Sequence, residues 1–188
     1  MNREDIMLSV SSGMPEKRWT HTLGVMSTSR QLAEQYGEDA DRAELAAIIH
    51  DAAKFWPIEQ QKNYIIQHEL DQELLQYNKE LWHAEIGAHL AWAQYGIDDR
   101  GIRDAIRYHT SGRAGMTLIE KIVWVADYIE PNRNFPGVDK ARELAASSLD
   151  QCMLYGLNST ITLLIEKNRI IYPGTLAARN DLLSSLSE

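Results

Sequence analysis

Residues 40–55, ADRAELAAIIHDAAKF, decide the fold of this chain more than any other stretch. Their apolar side chains recur three and four positions apart, as they do on the buried face of an amphipathic helix. This apolar face surrounds an adjacent histidine and aspartate, His50 and Asp51. The stretch therefore predicts a helix over 40–55 that carries two chemically active side chains into the protein core.

The remaining segments show the same helical periodicity. No sustained alternation of β-branched and aromatic residues indicates a strand, so the predicted fold class is all-α. Predicted helices lie near 3–11, 15–36, 40–55, 57–68, 71–77, 80–95, 98–110, 117–130, 138–169 and 175–186. We expect a break within 138–169, because Gly156 and the run Asn158-Ser159-Thr160 are weak helix formers.

Length and composition restrict the class of protein. The chain has 188 residues, 44% of them hydrophobic, and we expect one compact domain over residues 1–188. Its 19 Lys and Arg against 27 Asp and Glu give a formal net charge of −8, which argues against non-specific binding to nucleic acid. The single cysteine, Cys152, excludes an intramolecular disulfide and a cysteine-based zinc cluster.

No feature of the sequence predicts export or membrane insertion. The N-terminus, Met1 to Asp5, lacks the basic-then-apolar order of a secretory signal. No apolar run approaches the ~20 residues that cross a bilayer. The expectation is a soluble, cytoplasmic protein.

Histidine and aspartate side chains fall on the apolar faces of several predicted helices. His109 lies on the same face as Ile102 and Ile106, and it is therefore expected to point inward. Asp127 continues the apolar face of 117–130, where a buried carboxylate needs a cation or several hydrogen-bond donors. Five predicted helices together direct a set of polar residues to a common interior: His21, His50, Asp51, His83, His109 and Asp127.

This ordered series predicts a metal site. Imidazole and carboxylate groups without thiolates suit iron, manganese, cobalt, nickel or zinc, and ligand softness alone does not choose among them. The alternative interpretation is a set of core histidines satisfied by hydrogen bonds, with Asp127 as a helix-packing partner.

The same residues carry a resemblance to a known family. The series resembles the H…HD…D signature of the HD-domain superfamily of metal-dependent phosphohydrolases. Its further histidines, His83 and His109, resemble those of the members that hold two metals. Four segments are similar to those of the YqeK-type HD proteins: RWTHTLGV at 18–25, HDAAK at 50–54, HT at 109–110 and ADYIEPNR at 126–133.

This resemblance implies a fold, an activity and a set of ligands. It implies the HD-domain helical fold over essentially the whole chain. It also implies symmetrical hydrolysis of dinucleoside tetraphosphates, in which diadenosine tetraphosphate and water give two ADP. The implied di-iron centre would present a metal-activated hydroxide to phosphorus. By the same resemblance, one metal would be held by His21, His50, Asp51 and Asp127, and the other by His83 and His109, with Asp51 bridging both.

Cationic residues beside the proposed ligands are candidates for binding substrate phosphates. Arg18 lies three residues before His21, and Lys54 four residues after His50, so each shares a helix face with a ligand. The expected catalytic residues are Asp51, Lys54 and Arg18. The expected substrate contacts are Arg18, Lys54, Thr110, Glu130 and Arg133.

Each expected substrate contact has an alternative interpretation. The three basic residues are solvated surface charges in the alternative reading. Thr110 would then only cap the end of its helix. Glu130, one turn from Asp127, has two alternatives, because it would either orient a metal ligand or remain a surface carboxylate.

Other reactive residues fit ordinary structural roles better. His68 lies in a polar run and is expected to be exposed, and His89 lies about 240° around the helix from His83. Cys152 lies in an apolar helical stretch and is expected in the core. Residues 111–115, SGRAG, predict a flexible loop that covers a bound nucleotide.

Three functions of different classes follow from these observations. The leading hypothesis is a two-metal hydrolase of dinucleoside tetraphosphates. The second is another HD-type phosphohydrolase, acting on a deoxynucleotide, an alarmone or a cyclic dinucleotide, because one fold supports several substrates. The third is a nucleotide-binding regulator with little turnover. All three hypotheses imply a small-molecule nucleotide as the partner. A homodimer is compatible with the sequence but not required by it.

Overall fold

The computed structural model describes residues 1–187, and these residues form ten α-helices and no strand. The helices are α1 Arg3–Ser12, α2 Glu16–Tyr36, α3 Ala40–Ile49, α4 Ile58–Gln67, α5 Trp82–Ala93, α6 Arg100–Tyr108, α7 Leu118–Ile129, α8 Val138–Ala145, α9 Leu149–Glu166 and α10 Pro173–Ser185. Two 3₁₀ turns, Gln72–Gln76 and Lys79–Leu81, connect α4 to α5. The prediction of an all-α fold is confirmed. None of the helices in this part of the chain has the length and apolarity needed to cross a membrane.

The helices that carry the predicted ligands pack around one another. α2 lies along α3, α7 packs against both, and α6 contacts α3, α5 and α7. Their shared interior is filled by fully buried aliphatic side chains, among them Val25, Ile48, Ile49, Ile106 and Ile122. Each such side chain stabilises the fold by about 1.5–3 kcal/mol relative to an exposed position. The core therefore holds five ligand-bearing segments in fixed relative positions.

The helix predicted over 40–55 is shorter than expected, because α3 ends at Ile49 and residues 50–55 form consecutive turns. The Ile49 carbonyl accepts a hydrogen bond from an N–H three residues on (2.9 Å) rather than four. Gly87 of α5 packs against this turn, since an added Cβ would lie 3.4 Å from the Ile49 oxygen and 3.5 Å from the His50 oxygen. The histidine–aspartate pair therefore lies just beyond a helix end, facing α5.

The break predicted inside 138–169 lies at another place. The chain leaves the helix over residues 146–148, where the Ser148 hydroxyl caps α9 by accepting from the N–H of Gln151 (3.2 Å). Gly156 lies within α9, and an added Cβ there would lie 2.6 Å from Cη2 of Trp124. The prediction of a break at Gly156 is wrong because this glycine makes room for an aromatic ring.

Other predicted helix ends shift by a few residues. The segment 71–77 forms a 3₁₀ turn over Gln72–Gln76 rather than an α-helix. α6 begins after Asp99, whose side chain accepts from a backbone N–H of its first turn (3.1 Å), and it ends at Tyr108. His109 therefore directly follows the last residue of α6, so that two histidines of the predicted site lie at helix ends.

Candidate metal centre

The six predicted ligands meet at one point inside the protein. α2 provides one histidine, the end of α3 a histidine and an aspartate, α5 and the end of α6 one histidine each, and α7 an aspartate. Five of the six are buried, and the side chain of Asp127 is 21% exposed. The converging residues are His21, His50, Asp51, His83, His109 and Asp127.

The carboxylate of Asp51 lies at the middle of this cluster. Its Oδ2 is 3.1 Å from Nε2 of His50 and 3.8 Å from Nε2 of His21. Its Oδ1 is 3.0 Å from Nε2 of His83 and 3.9 Å from Nε2 of His109. The two oxygens of one carboxylate thus face two separate pairs of histidines.

Asp127 completes the group around His21 and His50. Its Oδ1 lies 3.0 Å from Nε2 of His21 and 3.9 Å from Nε2 of His50. Arg133 holds this carboxylate by donating from Nη2 to Oδ1 (2.6 Å) and from Nε to the backbone oxygen of Asp127 (2.8 Å). We call His21, His50 and Asp127 the open group, and His83 with His109 the closed group; Asp51 is shared by both.

Backbone carbonyls orient two of the imidazole rings. Nδ1 of His50 lies 2.6 Å from the oxygen of Ala47, and Nδ1 of His109 lies 2.7 Å from the oxygen of Ile106. Because a carbonyl oxygen only accepts hydrogen bonds, each Nδ1 must carry a proton. Each Nε2 therefore faces the interior of the cluster, that of His50 beside Asp51 (3.1 Å) and that of His109 beside Nε2 of His83 (3.2 Å).

A buried carboxylate orients the third ring. Nδ1 of His21 lies 3.0 Å from Oε1 of Glu130, which is itself almost completely buried. The other oxygen of Glu130 accepts from the backbone N–H (2.7 Å) and the side chain (3.0 Å) of Asn132. A carboxylate behind a metal-binding histidine fixes its tautomer and raises its basicity. The structure therefore places Glu130 behind a ligand and away from the surface.

Gly24 is a residue of this site that the sequence reasoning did not identify. It lies in the interior of α2, three residues after His21, where glycine usually weakens a helix. A Cβ at this position would collide with Oε2 of Glu130. A glycine that follows a ligand by almost one helical turn was the signal available in the sequence.

The Nε2 atoms of the cluster lack the hydrogen-bond partners that a protein interior normally supplies. Among the buried atoms that the structure describes, Nε2 of His21 and Nε2 of His50 lie 3.0 and 3.1 Å from carboxylate oxygens of Asp127 and Asp51, but neither contact has the geometry of a hydrogen bond. Nε2 of His83 lies 3.2 Å from Nε2 of His109, so two ring nitrogens face each other. Unsatisfied buried lone pairs are costly unless a cation shares them. The residues present therefore fit bound metal, and the series of ligands is better explained as a metal site than as core packing.

The electrostatics of the cluster also suit metal ligands. Burial opposes the ionisation of Asp51, but interactions with His50 and His83 hold the pKa of its carboxyl well below the usual value. Burial and repulsion by His50 and His83 lower the pKa of His109 to about 3. The shared carboxylate is therefore ionised at neutral pH, and His109 is neutral with a free lone pair.

The expected substrate contacts surround the centre. Arg18 donates from Nη1 to Oδ2 of Asp51 (2.9 Å), and Oγ1 of Thr110 lies 3.1 Å from Nε2 of His109. Lys54 forms an ion pair with the exposed Glu80 (2.8 Å). Arg18 and Arg133 line a cavity that borders His21, and Thr110 lines a second cavity, whereas Lys54 lines neither.

The residues assigned to ordinary structure lie outside the centre. His68 is exposed, as predicted, and His89 accepts a hydrogen bond from the hydroxyl of Tyr64 (2.8 Å) or donates one to it. Cys152 is completely buried in the core, as predicted, and burial raises the pKa of its thiol to about 12. It is therefore not a nucleophile at neutral pH.

The segment 111–115 is held more firmly than a flexible loop would be. Arg113 forms a bidentate ion pair with the buried Glu120 (2.8 and 2.7 Å). The N–H of Gly115 donates to Asp181 of α10 (2.9 Å), and Ser111 is buried. The segment that was expected to be a flexible loop over the site is therefore held in place by these contacts, and it lies beside His109.

Comparison with known proteins agrees with this site. The family model described as the HD domain matches residues 18–132, a range that contains all six predicted ligands. The chain belongs to the HD-domain family. This HD-domain chain is 49% identical to a protein of Bacillus subtilis (strain 168) named bis(5'-nucleosyl)-tetraphosphatase, symmetrical, over 98% of this chain and 99% of that protein. It is 38% identical to a protein of the same name from Staphylococcus aureus (strain NCTC 8325 / PS 47), over 96% and 94%.

A solved structure shows the same fold. The crystal structure of a predicted HD superfamily hydrolase from Clostridium acetobutylicum, described as involved in NAD metabolism, superimposes on this HD-domain protein with a TM-score of 0.94. The two are 38% identical, and the match covers 98% of each chain. The HD-domain helical fold implied by the sequence is confirmed.

Proposed function

We propose that this protein hydrolyses dinucleoside tetraphosphates symmetrically, so that diadenosine tetraphosphate and water give two molecules of ADP. The observation that carries the proposal is the division of the Asp51 carboxylate between two groups of histidines. Near-full-length identity to proteins named for this activity supports the choice of substrate. The reaction breaks the bond between the central bridging oxygen and one phosphorus, and the oxygen of water forms the new bond to that phosphorus.

We assign two transition-metal ions to the centre, and we propose iron as the metal. The ligand set of imidazoles and carboxylates without thiolates suits iron among several first-row metals, and the resemblance to YqeK-type proteins favours it. His21, His50 and Asp127 would hold one ion, His83 and His109 the other, and Asp51 both. When bound, such ions polarise phosphoryl oxygens and lower the pKa of water.

Asp51 and the orientations of the histidine rings preorganise the centre for the reaction. The Nδ1 contacts of His21, His50 and His109 keep their Nε2 atoms directed into the centre, so these side chains need no rearrangement before the substrate binds. Such preorganisation stabilises a transition state because the dipoles are already aligned. The nucleophile would be water, since Cys152 is buried in the core and is not part of the cluster.

Arg18, Arg133 and Lys54 are the cations that would bind the substrate phosphates. Each cation is held by a carboxylate, and phosphate oxygens have the same charge and can take the place of that partner. Two of them, Arg18 and Arg133, already reach ligand residues, so phosphates bound there lie next to the centre. These cations would share the negative charge of the leaving nucleoside diphosphate. Its departure therefore does not need a strong general acid. Thr110 would donate its hydroxyl to the same phosphates.

The test is product analysis with metal-loaded protein. We expect diadenosine tetraphosphate to yield ADP alone, resolved by chromatography, and His50→Ala to yield none. Production of AMP and ATP, or no turnover with iron or manganese restored, would contradict the proposal. Water enriched in ¹⁸O should place one label on the terminal phosphate of half of the ADP, because one water is consumed for each pair of products.

Several expectations from the sequence stay predictions. These are the cytoplasmic location, the homodimer, the absence of a nucleic-acid partner and the extent of the domain over 1–188. The identity of the metal and the individual substrate contacts are proposals.

A further inference from the structure

Two separate cavities lie near the centre, and one of them is lined by a predicted ligand. One, of about 410 Å³, borders Thr110 and is walled in part by Tyr108, Arg113 and Tyr172. The other, of about 570 Å³, borders His21 and is called the His21 cavity below. Both volumes fall within the range of about 300–1,000 Å³ that is usual for small-ligand sites. A substrate with a nucleoside at each end needs room on both sides of the bond that is broken.

The floor of the His21 cavity is cationic and continuous with the centre. Arg18 and Arg133 line it, and their guanidinium groups bond to Asp51 (2.9 Å) and Asp127 (2.6 Å). The exposed Lys17 adds a third positive charge to the lining. The polyphosphate chain of a nucleotide therefore finds complementary charge from the floor of the cavity outward.

The wall of the same cavity offers an aromatic ring. Phe55 lines the cavity, and 47% of its surface is exposed to solvent. Its ring lies 5.9 Å from the guanidinium carbon of Arg18, so the aromatic surface borders the phosphate-binding charge. An exposed aromatic ring is a stacking surface that accepts any nucleobase. A cationic floor and an exposed ring are the two features that recognise a nucleoside phosphate.

We propose that the His21 cavity binds the second nucleoside of the dinucleoside substrate and that Phe55 stacks on its base. This inference rests on the proposed function and extends it to a residue outside the metal centre. It assigns one half of the substrate to the His21 cavity and the other half to the side of Thr110. Phe55 then distinguishes substrates with two nucleosides from those with one.

The test compares two ligands that share a chain of four phosphates. Isothermal calorimetry with metal-loaded protein gives the Kd of diadenosine tetraphosphate whose central bridging oxygen is replaced by methylene, and the Kd of inorganic tetraphosphate, which has no base to stack. We expect Phe55→Ala to raise the first Kd at least about fivefold more than the second, the fold-change that matches the weaker base–aromatic stacks. Phe55→Trp should retain tight binding. The matched control is Trp92→Ala, since Trp92 is an aromatic residue that is 52% exposed and lines neither cavity.

Two results would overturn the inference. An unchanged Kd for the methylene analogue in Phe55→Ala would show that no base stacks there. Equal losses for both ligands would show that Phe55 acts on the phosphates through Arg18. Because binding is measured without turnover, failure of the proposed reaction is seen separately, as absence of ADP with the wild-type protein.

Discussion

The open and closed groups of the metal centre share one carboxylate but have different surroundings. The open group borders the His21 cavity, its Asp127 is partly exposed, and arginines reach Asp127 and the shared Asp51. The closed group consists of two buried histidines, His83 and His109, with Thr110 beside them. We propose that the tasks differ, in that the open group and its arginines bind most of the phosphate charge, while the closed group anchors the second ion beside Thr110.

The support behind the two groups differs as well. His21 of the open group is backed by the carboxylate of Glu130, whereas His109 of the closed group is backed by the backbone oxygen of Ile106. A backbone carbonyl fixes the tautomer without adding negative charge. A carboxylate fixes the tautomer and also adds negative charge. Mutation can therefore weaken the support of the open group alone.

The largest expected effect follows from removing the carboxylate that both groups share. Asp51→Asn leaves one neutral oxygen in place of two charged ones, so both ions lose a ligand. We expect kcat/KM for diadenosine tetraphosphate to fall by at least about 10³-fold, with loss of bound metal. The checks are steady-state kinetics and metal analysis, with the exposed Asp139→Asn as control. A variant that keeps its metal and a tenth of its activity would contradict the shared role.

A smaller effect is expected from a cation beside the open group. Arg18→Ala removes a charged donor without removing a ligand, and such bonds contribute about 1.5–3 kcal/mol. We expect kcat/KM to fall by about 10- to 100-fold while the metal content stays unchanged. The exposed Arg169→Ala is the matched control, since Arg169 lines neither cavity beside the centre. Equal loss of metal and activity would mean that Arg18 supports Asp51 rather than the substrate.

Glu130→Gln tests the support of the open group. The amide oxygen can still accept from Nδ1 of His21, but the negative charge is lost. We expect the metal affinity of the open group to fall by about 10- to 100-fold, while the closed group keeps its affinity. Titration with a chelator should then remove one ion at a lower chelator concentration than in the wild type. Simultaneous loss of both ions would contradict separate groups.

The smallest effect is expected at the histidines outside both groups. The double variant His68→Ala/His89→Ala removes surface and half-buried rings that contact no ligand. Substitutions of this kind usually change stability by less than about 0.5 kcal/mol. Activity and metal content should stay within about twofold of the wild type, as measured in the same assays. A larger loss would extend the site beyond the six ligands.

The sequence predicted most of the helices and the polar side chains on their buried faces, because both depend on local patterns. Apolar spacing identified the buried faces, and His109 and Asp127 stood out because polar groups are rare on such faces. The resemblance to HD-domain proteins then grouped these residues as one site. Periodicity and a family signature together were sufficient for the fold class and the six converging side chains.

What the sequence missed depends on contacts between distant residues. α3 ends at Ile49 where the chain meets Gly87 of α5, and Gly156 stays helical because it packs against Trp124. Glu130 reaches His21 across 109 positions, so its role was left open between a ligand partner and a surface charge. No local pattern encodes such pairings, because they arise only when the helices pack.

The most direct test of the two-group account is the number of metal ions bound per chain. Protein reconstituted with iron without oxygen, desalted and measured by mass spectrometry of the metal, should hold two ions per chain. His83→Ala should hold one, because the closed group keeps a single histidine and the shared carboxylate while the open group is intact. One ion per chain in both proteins would contradict the account.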